Sequence, residues 1–276
     1  MDLAKEFNFK IASFHHAVEA YKIAQPLADN AVCASMWADW WGFKMEALDG
    51  IQENVALVDR KKNSCAIVHS DSAEGVQRLN QETAKVMARS SALGLNGSPE
   101  NAMRWLSINP AKAMGIENVT GSLEAGKMAD VVLWNGTPFS VYAKAEKVYI
   151  DGALMFDINN KNMKRLILIA CLISSCSITA VALAQNVLIE NATVHTAGTR
   201  GTLKNTDVLV QGGIIRAIGP NLLAPGVARI DAKGKPLTPG LFAGLGDIGL
   251  EEVSAEKSTV DASFSLGEGV TGQMRP

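Results

Sequence analysis

Imidazole and carboxylate are the side chains that hold divalent cations and move protons near neutral pH, and this chain gathers both in two short stretches. His15 and His16 stand together after one strand-like run, and His69 and Asp71 stand close together after another. Histidine is otherwise scarce: His195 completes the set of four, which limits any metal centre built on imidazole. Alternate residues of an extended segment share a face, so His69 and Asp71 project to the same side. Asp71 by itself has two readings: a helix-capping carboxylate at a strand-to-helix turn, or a group that does acid or base chemistry. His16 likewise reads as a ligand or as a hydrogen-bonded structural histidine at a strand end. Trp37 and Trp40, within Trp37-Ala38-Asp39-Trp40-Trp41, either line a substrate pocket or pack in a core.

The elements that must position these groups follow an α/β alternation. Phe7 to Phe14 reads as a strand, followed by a helical pattern over Ala17 to Ala28. Ala31 to Ala34 is a second short strand. Cys65 to Val68 is a third, leading through His69-Ser70-Asp71 into a helix from about Ala73 to Ala92 that Gly94 ends. Ser98-Pro99 is a cap with Pro at the first helical position, and Asn109-Pro110 reads as the same device. From Asp130 the period becomes strand-like: Val131 to Trp134, then Lys147 to Ile150 turning at Asp151-Gly152 onto Ala153 to Phe156. Asn186 to Ile189 and a hairpin of Asp207 to Gln211 with Ile214 to Ile218 resume it. Cys33 and Cys65 lie in apolar runs and read as inert buried thiols, and no CxxC spacing points to a redox pair or zinc ribbon. Lys127 and Glu251-Glu252 read as solvated surface charges.

Between the two β-rich pieces, Met163-Lys164-Arg165 precedes Leu166 to Ala184, which carries no charge and ends in Ala182-Leu183-Ala184. A basic start, an apolar core and a small-x-small end are the parts of a secretory signal, and the run is just long enough to span a bilayer. Its internal position gives the chain the look of the end of one protein joined to the start of another. The rest of the composition is that of a folded chain: 47% hydrophobic, 20% charged, 26 basic against 28 acidic residues. That balance excludes disorder and gives no electrostatic footprint for nucleic acid.

Two strings carry a family resemblance: Asn109-Pro110-Ala111-Lys112-Ala113-Met114-Gly115-Ile116, and Gly121-Ser122-Leu123-Glu124-Ala125-Gly126-Lys127-Met128-Ala129-Asp130-Val131-Val132-Leu133-Trp134. Together they resemble the metal-dependent amidohydrolase superfamily, and specifically its imidazolonepropionase-like members. Phe14-His15-His16-Ala17-Val18-Glu19 and His69-Ser70-Asp71 are similar to the segments after the sixth and eighth barrel strands. The stretch ending Gly234-Lys235-Pro236-Leu237-Thr238-Pro239-Gly240-Leu241 is similar to the opening of such a protein.

The resemblance implies an α/β fold: a partial (β/α)8 metallo-hydrolase barrel, its last three βα units, with β-sandwich accessory segments. The expected divisions are 1–128 for the C-terminal part of the barrel and 129–161 for sandwich strands. Residues 163–185 are the signal-like or transmembrane segment, 186–240 the sandwich strands of a second member, and 241–276 the truncated start of its barrel. The implied activity is hydrolysis of C–N bonds in a cyclic amide, amidine or peptide-like substrate by water activated on a divalent metal, zinc by family habit. Asp71 is then the catalytic carboxylate and a metal ligand, His16 a ligand or substrate holder, and His15, His69, Trp37 and Trp40 candidate pocket residues. Where the family continues Pro-Gly with paired histidines, Leu245 and Asp247 stand instead, so this chain alone is expected to be inactive. The competing expectation is a non-catalytic, exported or membrane-anchored binding protein. The expected location is exported, periplasmic or membrane-associated, with membrane contact through Leu166 to Ala184. A small molecule is the expected ligand, and a complementing chain that supplies missing barrel strands the expected partner.

Overall fold

The structure, a computed structural model, describes residues 1–40, 42, 45–160 and 185–242. The chain is a mixed α/β protein, and its described residues form two sheets. The first is a three-stranded parallel sheet of β1 (Ser13–Phe14), β2 (Cys33–Met36) and β3 (Ala66–Val68), in that order. Pairing runs Phe14 to Ala34, then Ala34 to Ala66 and Met36 to Val68. Every residue of β2 and β3 is buried, as parallel strands covered on both faces must be.

Helices surround this sheet: α1 (Asp2–Glu6), α2 (Ala24–Asp29), α3 (Asn54–Asp59), α4 (Ala73–Val76), α5 (Leu79–Ala92), α6 (Pro99–Leu106) and α7 (Ile108–Met114). Their core gathers Leu27, Met36, Val55, Val68, Val86, Met103, Trp105 and Leu106. Transfer of each such side chain from water stabilises the fold by roughly 1.5–3 kcal/mol before the entropy cost.

The expected strand over Phe7 to Phe14 shrinks to Ser13–Phe14. Asn8 takes a left-handed φ of 52°, and the amides of Phe7 and Phe9 bond back to Leu3 and Ala4, so this run finishes α1 instead. The helix expected over Ala17 to Ala28 is broken as well. A 3-10 turn covers Ala20–Ile23 and α2 starts only at Ala24, which leaves Pro26 in a first turn, where its missing N–H costs nothing. Ser98 caps α6 by accepting from the Asn101 amide. Asn109 is not the cap expected of it: Ser107 precedes α7, and the buried Asn109 amide donates to the Ala66 carbonyl, tying the helix to β3.

The second sheet has eight strands. These are β4 (Val131–Trp134), β5 (Ala145–Ile150), β6 (Ala153–Asp157), β7 (Val187–His195), β8 (Thr202–Gln211), β9 (Ile214–Gly219), β10 (Ala228–Asp231) and β11 (Pro236–Pro239). Their order is β6-β5-β4-β11-β7-β8-β9, with β10 against β7. The β-rich pieces before and after the signal-like segment thus form one hydrogen-bonded sheet, joined where β11 pairs antiparallel with β4 and parallel with β7. Trp134 donates through Nε1 to Thr238 at 3.0 Å across that seam. Asp151-Gly152 and Gly212-Gly213 both have positive φ throughout, as tight hairpin turns require. One core fills this sheet with Leu133, Tyr149, Ile189, Val208, Ile215 and Leu237.

Two further expectations change. Cys33 and Cys65 are not free thiols but a disulfide between neighbouring strands, since the parallel register brings their Cα atoms to 4.4 Å. Lys127 is not a solvated charge: its ammonium is largely buried, donating to the Glu117 carbonyl and Ser122 and pairing with Glu124 at 3.0 Å. The signal-like Leu166 to Ala184 lies outside the described residues, as do Trp41, Glu251 and Glu252. Among the described residues no helix is long and apolar enough to cross a membrane.

His195 on β7 bonds through Nδ1 to Thr202 at 2.8 Å, and burial pushes its imidazole below the ordinary range, with the Glu100 charge opposing. A depressed folded-state value means this contribution to stability is present above about pH 6.5 and is lost as pH falls through the lowered value. The urea midpoint of the wild type is therefore expected to drop between pH 7.5 and pH 5. His195→Gln should drop less, and equal drops would contradict the assignment.

Candidate metal centre

Three parallel strands end on the same side of their sheet, and the residues that follow them meet there. His15 and His16 follow β1, Trp37 follows β2, and His69 and Asp71 follow β3. His16 sits at φ 53°, a left-handed backbone that costs a non-glycine residue on the order of 1 kcal/mol. Neighbouring contacts hold it there. The Ala17 amide bonds to the Ser35 carbonyl, and the buried Asn54 side chain accepts from the Tyr21 amide and donates to the Ala17 and Val18 carbonyls. Asn54 thus fastens the segment after His16 to α3. It sits at an ordinary helix start, and no spacing in the sequence marks it.

Asp71 is the hub of the cluster. Its Oδ1 lies 3.1 Å from His16 Nε2, 3.4 Å from His69 Nδ1 and 3.9 Å from His15 Nε2. It does not cap the helix behind it; Ser72 does, accepting from the Gly75 amide. The carboxylate is left facing the three imidazoles. The structure therefore gathers all four residues, and one ligand atom from each lies within 4.8 Å of every other.

Burial separates their roles. His69 is 4% exposed, and among the described residues its buried Nε2 has no hydrogen-bond partner. Desolvation, with the neighbouring His15 next in size, pushes its imidazole down to about 4. His15 is shifted the same way, by burial first and His16 second, against the attraction of Asp71. Both rings are thus held neutral at pH 7, the form that donates a lone pair to a cation.

The indole of Trp37 stacks on His16 at 4.8 Å between centroids and on Trp40 at 6.0 Å, and lies 5.4 Å from His69. Trp37 is buried and Trp40 half-buried. Trp37 therefore supports the imidazoles from behind, while Trp40 borders a small hollow with Val18, Asp39 and Asn54.

The amidohydrolase family model matches residues 54–214, a stretch that contains His69 and Asp71. This chain belongs to the amidohydrolase family. An amidohydrolase of Hapsidospora irregularis, tasK, is 28% identical over 163 residues, covering 57% of this chain and 16% of its own. The imidazolonepropionase of Shewanella oneidensis is 55% identical over 38 residues, 14% of this chain and 9% of its own. The chain thus spans less than a fifth of the length of these curated amidohydrolase relatives. An amidohydrolase from Thermotoga maritima MSB8 superposes with a TM-score of 0.49 at 30% identity, over 56% of this chain and 39% of that one.

Three imidazole nitrogens and one carboxylate oxygen make a donor set suited to a divalent cation such as zinc. The partnerless, neutral Nε2 of His69 is a second mark of fit, for a buried polar atom without a partner is costly unless something binds it.

Proposed function

We propose that the three parallel strands are the last three βα units of a metallo-hydrolase barrel. Their shared end is one wall of an active site that cleaves C–N bonds in cyclic amides, amidines or peptide-like substrates. The observation that carries this reading is the convergence of His15, His16, His69 and Asp71 within 4.8 Å. A cation held there supplies Lewis-acid polarisation of a substrate carbonyl and makes a water more acidic.

The chain's own residues divide the remaining work. Asp71 accepts a proton at Oδ1 and returns it to the leaving nitrogen, since it faces the cluster and is not spent on capping. His16, fixed by its left-handed backbone and by Trp37, holds the cation or orients the substrate. His69 stays neutral and donates a lone pair, and Trp37 and Trp40 exclude water along one side of the pocket.

This wall does not complete hydrolysis alone. Leu245 and Asp247 stand where the family pattern has paired histidines, and β1 and β3 each have one strand neighbour among the described residues. Further polypeptide that adds strands to those edges is the partner this reading calls for. An exported or membrane-associated location fits the signal-like segment and the Cys33–Cys65 disulfide, which belongs to oxidising compartments.

The test is metal content after zinc loading and desalting. The wild type is expected to retain about one zinc per chain, and Asp71→Asn less than about a tenth of that, with no amide hydrolysis by either. Equal zinc in both proteins would contradict the role given to Asp71. Ligand binding that persists without metal would favour a non-catalytic binding protein instead.

A further inference from the structure

A second cavity, of about 910 Å³, opens at the opposite ends of the same strands. Cys33, the first residue of β2, and Cys65, just before β3, form part of its wall. Trp37 and His69 lie four residues further along those strands, so the cavity and the His–Asp cluster are about 13 Å apart. Its volume is that of a small-molecule site.

Its lining joins three cations, Lys5, Lys10 and Lys112, to the apolar Phe9, Ile11 and Met114. Glu117 is the one acidic side chain among the lining residues, which leaves an excess of positive charge. Among the described residues none of the three ammonium groups has a hydrogen-bond or ion-pair partner. Lys112, part-covered though its side chain reaches solvent, is shifted below the usual lysine range by burial first and by Arg104 next, against the attraction of Glu117. Phe9 and Met114 are more than half exposed, leaving apolar area open beside the cations.

We infer that this cavity binds an amphiphilic anion, a carboxylate carried on an apolar tail, at a site separate from the metal centre. The head group would neutralise the unpaired lysines while the tail covers Phe9, Ile11 and Met114. The site does not depend on the hydrolase reading, for none of its residues belongs to the cluster.

Decanoate titrated calorimetrically into the chelator-treated full chain is the direct test. Saturable binding is expected, weakened about fivefold in Lys112→Gln and more than about thirtyfold in the triple Lys5→Gln, Lys10→Gln, Lys112→Gln variant, as loss of charged hydrogen bonds implies. His16→Ala should leave decanoate binding unchanged, which separates this site from the cluster. All these substitutions lie at exposed positions, and an unchanged melting temperature shows that the fold survives. Absence of saturable binding, equal affinity for the uncharged decanol, or retention of full affinity by the triple variant would each overturn the proposal.

Discussion

Replacing His69 by alanine is expected to weaken zinc binding by at least about 100-fold while leaving a folded protein. Removal of one of four donors sacrifices a few kcal/mol of a total on the order of 10, and 100-fold corresponds to about 2.7 kcal/mol. His69 is the buried member of the cluster, and among the described residues its Nε2 has no partner to strand. The metal-free fold therefore loses packing and the Nδ1 contact to Asp71, but no bond at Nε2. His195→Ala removes the one histidine outside the cluster and should leave zinc affinity unchanged. Competition against a chromophoric chelator reads both variants. A His69→Ala affinity within threefold of wild type would remove this residue from the centre.

The Cys33–Cys65 disulfide carries the second large expectation. It closes a loop of sequence separation 32, for which the chain-entropy relation gives about 3–4 kcal/mol of stabilisation. Relative to a typical domain stability of about 5–15 kcal/mol, that is a large share. The double variant Cys33→Ala, Cys65→Ala should show a correspondingly lower urea midpoint without reductant. Dithiothreitol should lower the wild-type midpoint and leave the variant's unmoved. Rapid alkylation of Cys33 and Cys65 in native, unreduced protein, or a loss below about 0.5 kcal/mol, would contradict the bridge.

What the sequence discloses and what it hides divide along physical lines. Hairpins at Asp151-Gly152 and Gly212-Gly213 are legible because their turn chemistry is local. The Ser98-Pro99 cap is legible for the same reason. Asn109-Pro110 carries an identical local signal, yet Asn109 serves a strand 43 residues away in sequence, and no local rule anticipates that use. The disulfide is hidden likewise: two cysteines in separate apolar runs become neighbours only once β2 and β3 are in register.

The cluster itself is half legible. His69-x-Asp71 announces a shared face, and the family strings draw attention to His16 and Asp71. The entry of His15 and His69 as equal members of the donor group depends on strand order, since β2 must lie between β1 and β3 for their ends to converge. Asn54 is invisible in sequence because its work is done through backbone carbonyls on a distant loop. Lys127 reads as solvent-facing because its partners, Glu117, Ser122 and Glu124, are brought round it by the fold.

X-ray absorption on the zinc-loaded chain shows which atoms surround the metal. A first shell of nitrogen and oxygen only is expected, with outer-shell scattering from about three imidazoles, reduced by one in His15→Ala and by one in His16→Ala. A shell containing sulfur, or one with no imidazole scattering, would contradict a metal centre built from His15, His16, His69 and Asp71.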